Sequence, residues 1–336
     1  MSPDPAILTT TVGSYPIPDW LPALPSEQAR LDATRVVFAI QRDARIDLPT
    51  DGELYRFDIN HPETNGMIEY FVRPMAGIRT AMRFDELVAY RAQRGMGFRA
   101  RPPAVVEGPV GPGTLDLPQA CARAKRLATR PFKFTLTGPH MLAKTLVDHH
   151  YGKLPELAFA LGDALGEQVR HVDAEVVQVD EANLPGNPDE WPWAAEAINR
   201  VLRAVKTVAA VHLCFGNYGG QSIQQGSWGK LIDYLNALAV DHIVMETAHR
   251  PSSELEVFRE LRPEIGLGLG VVEIKSTEIE SADVVARAIE RAAKILGPER
   301  VRYVHPDCGF WMLKRSIADG KIRALVLGRD RYEGRS

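Results

Sequence analysis

The chain has 336 residues, of which 45% are hydrophobic and 25% charged, and its formal net charge is -3. This composition is typical of a soluble globular protein, and the weak negative charge argues against a nucleic acid as partner. The N-terminal residues lack the basic and apolar regions of a targeting leader, and no apolar run reaches the roughly 18 residues that a membrane span needs. We therefore expect a cytoplasmic protein that binds neither nucleic acid nor membrane.

Short β-branched segments alternate with helical segments along the chain. Strands are predicted at residues 7–14, 45–53, 132–139, 175–182, 209–215, 242–248, 265–273 and 300–308. Helices are predicted at residues 155–173, 194–206, 228–239 and 283–296, the last ended by Gly297 and Pro298. Eight strands in this alternation favour an α/β fold of the (β/α)8 type, a closed TIM barrel. A doubly wound open sheet is less favoured because no glycine-rich phosphate turn follows the first strand.

Residues 55–130 are the least regular part of the chain, and we expect them to form an excursion between the second and third barrel strands. They contain one further strand-like run, residues 102–110, and seven arginines between Arg73 and Arg101. Two interpretations of the arginines stay open, a docking face for an anionic ligand or partner protein and a solvated surface. No linker or repeat divides the sequence, so residues 1–336 are predicted to form a single domain.

Polar side chains follow most of the predicted strands at their carboxyl ends. They are Ser14, Asp51, Glu53, Asp180, Glu181, His212, Cys214, Glu246 and Cys308. In a barrel of parallel strands these ends converge on one mouth, and that face carries the active site of TIM-barrel enzymes. The pattern therefore predicts that these residues surround one site.

His212 and Cys214 are two residues apart on a predicted strand, so both side chains leave the same face. With Glu246 and Cys308 they offer one nitrogen, two sulfurs and one oxygen, a donor set that suits tetrahedral zinc better than magnesium or calcium. The spacing alone leaves open a chance pair in which both cysteines are buried structure. The third cysteine, Cys121, lies in an amphipathic stretch and is predicted to be a buried helix residue.

A set of sequence blocks carries a family resemblance. The blocks are TTTVGSYP, DGELYRFDINHPETNGMIEYF, FTLTGPHML, VVQVDEANLPG, VHLCFGN, VMETA, GLGVVEIKSTEIES and VRYVHPDCGF. In this order they resemble the signature motifs of the cobalamin-independent methionine synthase family. The match runs over nearly the whole chain, but only to the C-terminal catalytic barrel of the full-length enzymes, as in the short, core-type members.

The resemblance implies a zinc-dependent enzyme of methionine biosynthesis that transfers a methyl group to the thiol of homocysteine. The ligands that it implies for Zn2+ are His212, Cys214, Glu246 and Cys308. It places Ser14 at the substrate carboxylate, and Glu53 and Asp180 at the substrate ammonium group. Glu246, Asp180 and Lys275 are the implied catalytic residues. Glu246 is the ligand expected to yield to the incoming thiol, and Lys275 stands where full-length enzymes have a histidine that acts near proton transfer.

The resemblance leaves the methyl donor open. Full-length enzymes have a second, N-terminal barrel that helps to bind the folate tail, and this sequence matches only the catalytic barrel. Lys275 and the block HLCFGN resemble short enzymes, some of which use methylcobalamin, and also zinc alkyltransferases that act on coenzyme M. The expected partners are homocysteine or another small thiol, a folate or corrinoid donor, and a corrinoid protein that delivers it. Alkyl transfer to another thiol, such as coenzyme M, is the alternative function.

The stretch at residues 216–230 is rich in glycine but lacks the G-K-[ST] ending of a phosphate loop. We expect a loop beside the metal site. Two interpretations of Trp228 stay open, since it either closes over the substrate or lies in the core. A purely structural zinc site is disfavoured because such sites normally use only cysteine and histidine ligands.

Overall fold

The structure is a computed structural model that describes residues 7–61, 66–92, 101–217 and 224–335. The strands are β1 Leu8–Thr9, β2 Ala76–Arg79, β3 Val105–Gly111, β4 Lys133–Thr137, β5 Val147–Asp148, β6 Val176–Glu181, β7 Val208–Leu213, β8 His242–Met245, β9 Gly266–Val272 and β10 Val301–Pro306. The α-helices are α1 Trp20–Ala23, α2 Glu27–Asp43, α3 Glu69–Val72, α4 Phe84–Arg91, α5 Leu117–Leu127, α6 Pro139–Thr145, α7 Leu154–Val169, α8 Trp191–Leu202, α9 Ile232–Ala237, α10 Ala282–Leu296 and α11 Arg315–Tyr332. Among these, no helix combines the length and the apolar character needed to cross a membrane.

Seven strands form one curled parallel sheet in the order β1-β10-β9-β8-β7-β6-β4. The predicted second strand, residues 45–53, differs from the prediction because it forms no ladder. Isolated parallel bridges instead join Leu48 to Thr10, beyond the end of β1, and Thr50 to Lys133 of β4. The segment thus lies between the two edge strands of the sheet. An α/β fold with parallel strands is confirmed.

Local sequence explains the helix that precedes β10. The Ser281 hydroxyl accepts a hydrogen bond from the Val284 N–H at the start of α10, as expected of an N-cap serine. Gly297 ends the helix with a φ of 92°, a conformation that favours glycine. The predicted stop at Gly297 is confirmed. The predicted helix 228–239 begins as a 3-10 turn, Trp228–Leu231, before α9.

Residues 55–130 contribute β2 and β3 to a second, smaller sheet, in which β2 pairs antiparallel with β3. The third strand of this sheet, β5, pairs parallel with β3 and lies outside the segment, after β4 and α6. Two of the seven arginines of this segment, Arg94 and Arg99, lie outside the described residues. Arg79 is 2.6 Å from the buried carboxylate of Glu86. Part of the positive charge is therefore neutralised within the segment itself.

Alternation along β6 shows how the sheet positions polar groups on its inner face. Val176 belongs to a small apolar cluster with residues of β7 and β8, and Gln178 and Asp180 follow at intervals of two on the same face. Asp180 is paired in register with His212 of β7. The inner face therefore changes from apolar to polar toward the carboxyl ends of the strands.

Candidate active site

A cavity of about 350 Å³ opens at the carboxyl ends of the parallel strands. The predicted site residues that line it are Ser14, Glu53, Asp180, His212, Cys214 and Cys308. Ile17 and Trp311 add apolar surface, with 42% and 39% exposure. The cavity thus brings together most of the polar residues that were expected at one mouth.

His212, Cys214 and Cys308 bring their ligand atoms within 4.8 Å of one another. The Cys214 and Cys308 sulfurs are 3.7 Å apart. The Nδ1 of His212 lies 3.0 Å from the Val244 carbonyl oxygen, so Nδ1 carries the proton that it donates and Nε2 keeps a free lone pair. Nε2 is buried and has no hydrogen-bond partner among the described residues. One nitrogen and two sulfurs therefore converge, and among the described residues the nitrogen has no hydrogen-bond partner.

This arrangement fits a zinc ion. Two sulfurs bound to one tetrahedral zinc at about 2.3 Å lie about 3.8 Å apart, which agrees with the 3.7 Å between the two cysteines. A hydrogen bond from His212 to a backbone carbonyl is the usual means of orienting a metal-binding imidazole. Because an unpaired buried nitrogen is costly, a metal ion would also satisfy Nε2.

The two thiols differ in their electrostatics. The hydrogen bond from the Cys308 thiol holds the pKa of Cys214 well below its usual value, although burial opposes this. The same hydrogen bond and burial raise the pKa of Cys308 well above its usual value. Burial lowers the pKa of His212, but the neighbouring Cys214 outweighs burial and leaves that pKa raised. The pair of thiols therefore favours negative charge on one sulfur, that of Cys214.

Glu246 is not part of the group of three converging ligands. Its side chain is fully buried, and its Oε2 accepts a hydrogen bond of 3.0 Å from the Phe215 N–H. Its Oε1 lies 2.9 Å from Nζ of Lys275. The Trp228 indole is also fully buried and donates to the Glu246 carbonyl oxygen at 3.1 Å. Trp228 therefore lies in the core, and the interpretation that it closes over the substrate is wrong.

Asp307 ties the loop after Glu246 to the segment after β10 that carries Cys308. It is fully buried. Its two carboxylate oxygens accept hydrogen bonds from three consecutive backbone N–H groups, those of residues 247, 248 and 249, at 2.8–2.9 Å. Gly270 makes this approach possible, because a Cβ there would lie 2.2 Å from Oδ1 of Asp307. Asp307 therefore fixes the separation between two of the predicted metal ligands.

We expect Asp307→Asn to lower the free energy of unfolding by about 1–3 kcal/mol. The amide replaces one acceptor oxygen with a donor, which leaves at least one buried N–H unsatisfied. Chemical denaturation of the metal-free protein measures the change. Asp189→Asn is the matched control because Asp189 is exposed, and equal stability losses in the two variants would contradict the expectation.

Glu53 occupies an unusual backbone conformation, with a φ of 62°. Its N–H donates to Oδ1 of Asp51 at 2.8 Å, which holds the turn. Its Oε1 accepts a hydrogen bond of 2.6 Å from the Thr135 hydroxyl, and its Oε2 lies 3.1 Å from Nη1 of Arg56. Positive φ is uncommon outside glycine, and such outliers cluster at functional sites. The turn aims the Glu53 carboxylate at the cavity.

Asp180 is held from below by a chain of hydrogen bonds along the inner face. Lys133 donates to Gln178 at 2.7 Å, and Gln178 donates to Asp180 at 2.7 Å. Burial, opposed by His212 and assisted by the nearby Glu53, raises the pKa of Asp180 to about 7. Two acids thus share the cavity wall, a pair that a cationic group of a ligand would relieve.

Ser14 lies between residues 45–53, where it bridges to Gly52, and the segment that follows β10. Its carbonyl oxygen accepts a hydrogen bond of 2.9 Å from the Phe310 N–H. Its hydroxyl approaches Gly309 so closely that a Cβ at that glycine would lie 2.1 Å from Oγ. The Asn217 amide donates to the Gly309 carbonyl oxygen at 3.2 Å. Ser14 therefore adjoins both the segment that carries Cys308 and, through its bridge to Gly52, the turn that carries Glu53.

Three polar residues of this region were not predicted from the sequence: Arg56, Gln178 and Asn217. Arg56 pairs with Glu53 from three residues away, and Gln178 lies two residues before Asp180 on one strand face. Both residues could have been found from these sequence spacings, which place each side chain beside a predicted site residue. Asn217 lines the cavity with a buried Oδ1 that has no hydrogen-bond partner in the described ranges.

Comparisons with known proteins bear on the same region of the chain. Residues 7–327 match the family model described as "Cobalamin-independent synthase, Catalytic domain". A methionine synthase of Thermococcus kodakarensis is 30% identical to this chain, with coverage of 96% of the chain and 93% of the relative. A methionine synthase of Saccharolobus solfataricus is 27% identical, with coverage of 98% and 95%. The chain belongs to the cobalamin-independent methionine synthase family.

Solved structures of the family share the fold. A B12-independent methionine synthase from Shewanella sp. W3-18-1, in complex with selenomethionine, superposes with a TM-score of 0.81 at 23% identity and covers 98% of both chains. A putative vitamin-B12 independent methionine synthase from Listeria monocytogenes gives a TM-score of 0.70 at 16% identity, with coverage of 98% and 99%. The family resemblance seen in the sequence blocks is confirmed.

Proposed function

We propose that this protein is a zinc-dependent methyltransferase that forms methionine by transferring a methyl group to the thiol of homocysteine. The observation that carries the proposal is the convergence of His212, Cys214 and Cys308 at a cavity whose wall holds Glu53 and Asp180. Membership of the methionine synthase family supports the same activity. A metal held by the three ligands would activate a thiol, and the two acids would bind an ammonium group. The cavity therefore suits a substrate that has both groups, an amino-acid thiol.

The proposed ligands of Zn2+ are His212, Cys214, Cys308 and, as the fourth, Glu246. When bound, zinc would lower the pKa of the substrate thiol from about 8.5, so that a thiolate is available at neutral pH. The carboxylate of Glu246 is the ligand that yields its place most readily, because it already has a second partner in Lys275. The two cysteines and His212 remain as the permanent ligands.

The cavity residues orient a zwitterionic substrate. Glu53 and Asp180 accept hydrogen bonds from the ammonium group, and the Ser14 hydroxyl donates to the carboxylate. Asp180 also acts in catalysis, since it fixes the substrate beside His212, its partner in register. A sulfonate thiol such as coenzyme M is not favoured, because the Arg56 guanidinium that lines the cavity is already paired with Glu53.

We also propose that the parallel sheet closes into a (β/α)8 barrel through residues 48–52. The bridges of this segment to both edge strands support closure. In this arrangement β2 and β3 of the small sheet belong to an excursion between the second and third barrel strands, and β5 follows the third. The continuous hydrophobic core, which includes residues of both sheets, supports a single domain.

The methyl donor is either a folate or a corrinoid, delivered free or on a partner protein. A donor would enter past Ile17 and Trp311, which line the cavity and are partly exposed. Apolar rim residues suit the flat ring system of either donor class. Two interpretations of the arginines between Arg73 and Arg101 were left open, a docking face and a solvated surface. For those arginines that the structure describes, we propose a docking face for a corrinoid protein.

A donor screen tests the proposed function. Zinc-loaded protein is incubated with homocysteine and, in separate reactions, methylcobalamin, methyltetrahydrofolate with one or several glutamates, and a methylated corrinoid protein. We expect methionine, measured by mass spectrometry, from at least one donor, and no product after removal of zinc by a chelator. Coenzyme M serves as the competing acceptor. Methylation of coenzyme M without any methionine would overturn the proposal.

A further inference from the structure

A buried ion pair lies next to the three converging ligand atoms. Nζ of Lys275 is 2.9 Å from Oε1 of Glu246, and the two side chains are only 5% and 0% exposed. The other carboxylate oxygen of Glu246 accepts a hydrogen bond from the Phe215 N–H at 3.0 Å. Two buried charges are costly unless each is well paired. The geometry therefore gives Glu246 a complete set of partners without a metal ion.

Glu246 would have two cationic partners once a metal ion is bound, the metal and Lys275. The carboxylate carries one negative charge, so binding to one cation weakens its attraction to the other. Its hydrogen bond to Phe215, the neighbour of Cys214 in the chain, keeps the carboxylate beside the metal ligands.

We propose that Lys275 is a positioning residue that receives the Glu246 carboxylate when a substrate thiol takes the fourth place at the metal. This inference rests on the proposed function. The bond between Glu246 and the metal breaks, a bond between sulfur and the metal forms, the thiol proton passes to water, and Glu246 pairs with Lys275. Lys275 thereby makes the ligand exchange reversible, because the released carboxylate stays buried but is never unpaired.

The exchange predicts that loss of the Lys275 charge strengthens zinc binding, whereas loss of a purely structural lysine would weaken it. In Lys275→Met, which keeps the length of the side chain but removes its charge, Glu246 has only the metal as a cationic partner. We expect zinc to bind about tenfold more tightly in the absence of homocysteine, and homocysteine to bind about tenfold more weakly to the zinc-loaded protein. If Lys275 served only packing, its replacement would weaken the binding of both zinc and homocysteine. Competition with a chromophoric chelator measures the first constant, and the visible spectrum of the cobalt-substituted protein measures the second.

Three control variants sharpen the test. Lys275→Arg keeps the charge and should retain both constants within about twofold. Lys294→Met removes an exposed lysine of α10 and should change neither. In a Glu246→Gln background, Lys275→Met should lose its effect on zinc affinity, because the two residues act through one interaction. Zinc affinity that is unchanged or lower in Lys275→Met would overturn the inference.

A measurement on the unaltered protein is independent of how the variants fold. X-ray absorption at the zinc edge should show one oxygen or nitrogen neighbour replaced by one sulfur when homocysteine is added. An unchanged ligand set would overturn the exchange. Failure of the proposed function looks different, since the unaltered protein would then bind no zinc or form no methionine from any donor.

Discussion

Replacing Cys308 with serine is expected to remove both the bound metal and all methyl transfer. Cys308 supplies one of the three ligand atoms that lie within 4.8 Å of one another. A serine hydroxyl is not deprotonated at neutral pH and is a poor zinc ligand in place of a thiolate. Loss of an outer-shell partner of a zinc ligand lowers metal affinity about 10–100-fold, so loss of the ligand itself should exceed that. Elemental analysis after gel filtration and a methionine assay measure the two effects.

Cys121→Ser is the matched control for this experiment. Cys121 is buried in α5, apart from the cavity, as the sequence predicted. The variant should keep about one zinc per chain and full turnover, at a cost of about 1–3 kcal/mol in stability because a hydroxyl is buried. Retention of zinc by Cys308→Ser, or its loss from Cys121→Ser, would show that the metal is bound elsewhere.

Strand periodicity explains why most of the candidate site could be predicted from sequence. Asp180, His212 and Cys308 each lie at the end of a parallel strand, and parallel strands bring their carboxyl ends to one edge. The register of β6 with β7, which pairs Asp180 with His212, follows from that arrangement. The family resemblance added the roles of these residues, which no spacing could supply.

Other features depended on contacts that periodicity does not encode. Residues 45–53 were predicted as a strand, but the segment makes only isolated bridges and ends in a turn with positive φ at Gly52 and Glu53. Whether Glu246 faces a metal or Lys275 depends on the packing of two different strand ends. Arg56 was overlooked because its role comes from pairing with Glu53 across a turn, not from a motif of its own.

Replacing either acid of the cavity wall is expected to lower kcat/KM for homocysteine by about 10–100-fold. Hydrogen bonds to charged groups contribute about 1.5–3 kcal/mol each, and Glu53→Gln or Asp180→Asn removes the charge while keeping the shape. The loss should appear mainly in KM, since both acids hold the ammonium group in the ground state and in the transition state. Steady-state kinetics with saturating donor measure it.

The decisive comparison uses 4-sulfanylbutanoate, which has the thiol and carboxylate of homocysteine but lacks its ammonium group. The unaltered protein should use this analogue poorly, because Glu53 and Asp180 would stay buried without the cation that relieves their repulsion. Asp180→Asn should use the analogue as well as or better than the unaltered protein. The ratio of kcat/KM for homocysteine to that for the analogue should therefore fall. Glu53→Gln is a less specific test of ammonium recognition, because it also leaves Arg56 without its ion-pair partner. Equal losses for homocysteine and the analogue in Asp180→Asn would mean that Asp180 supports the fold of the site and does not recognise the ammonium group.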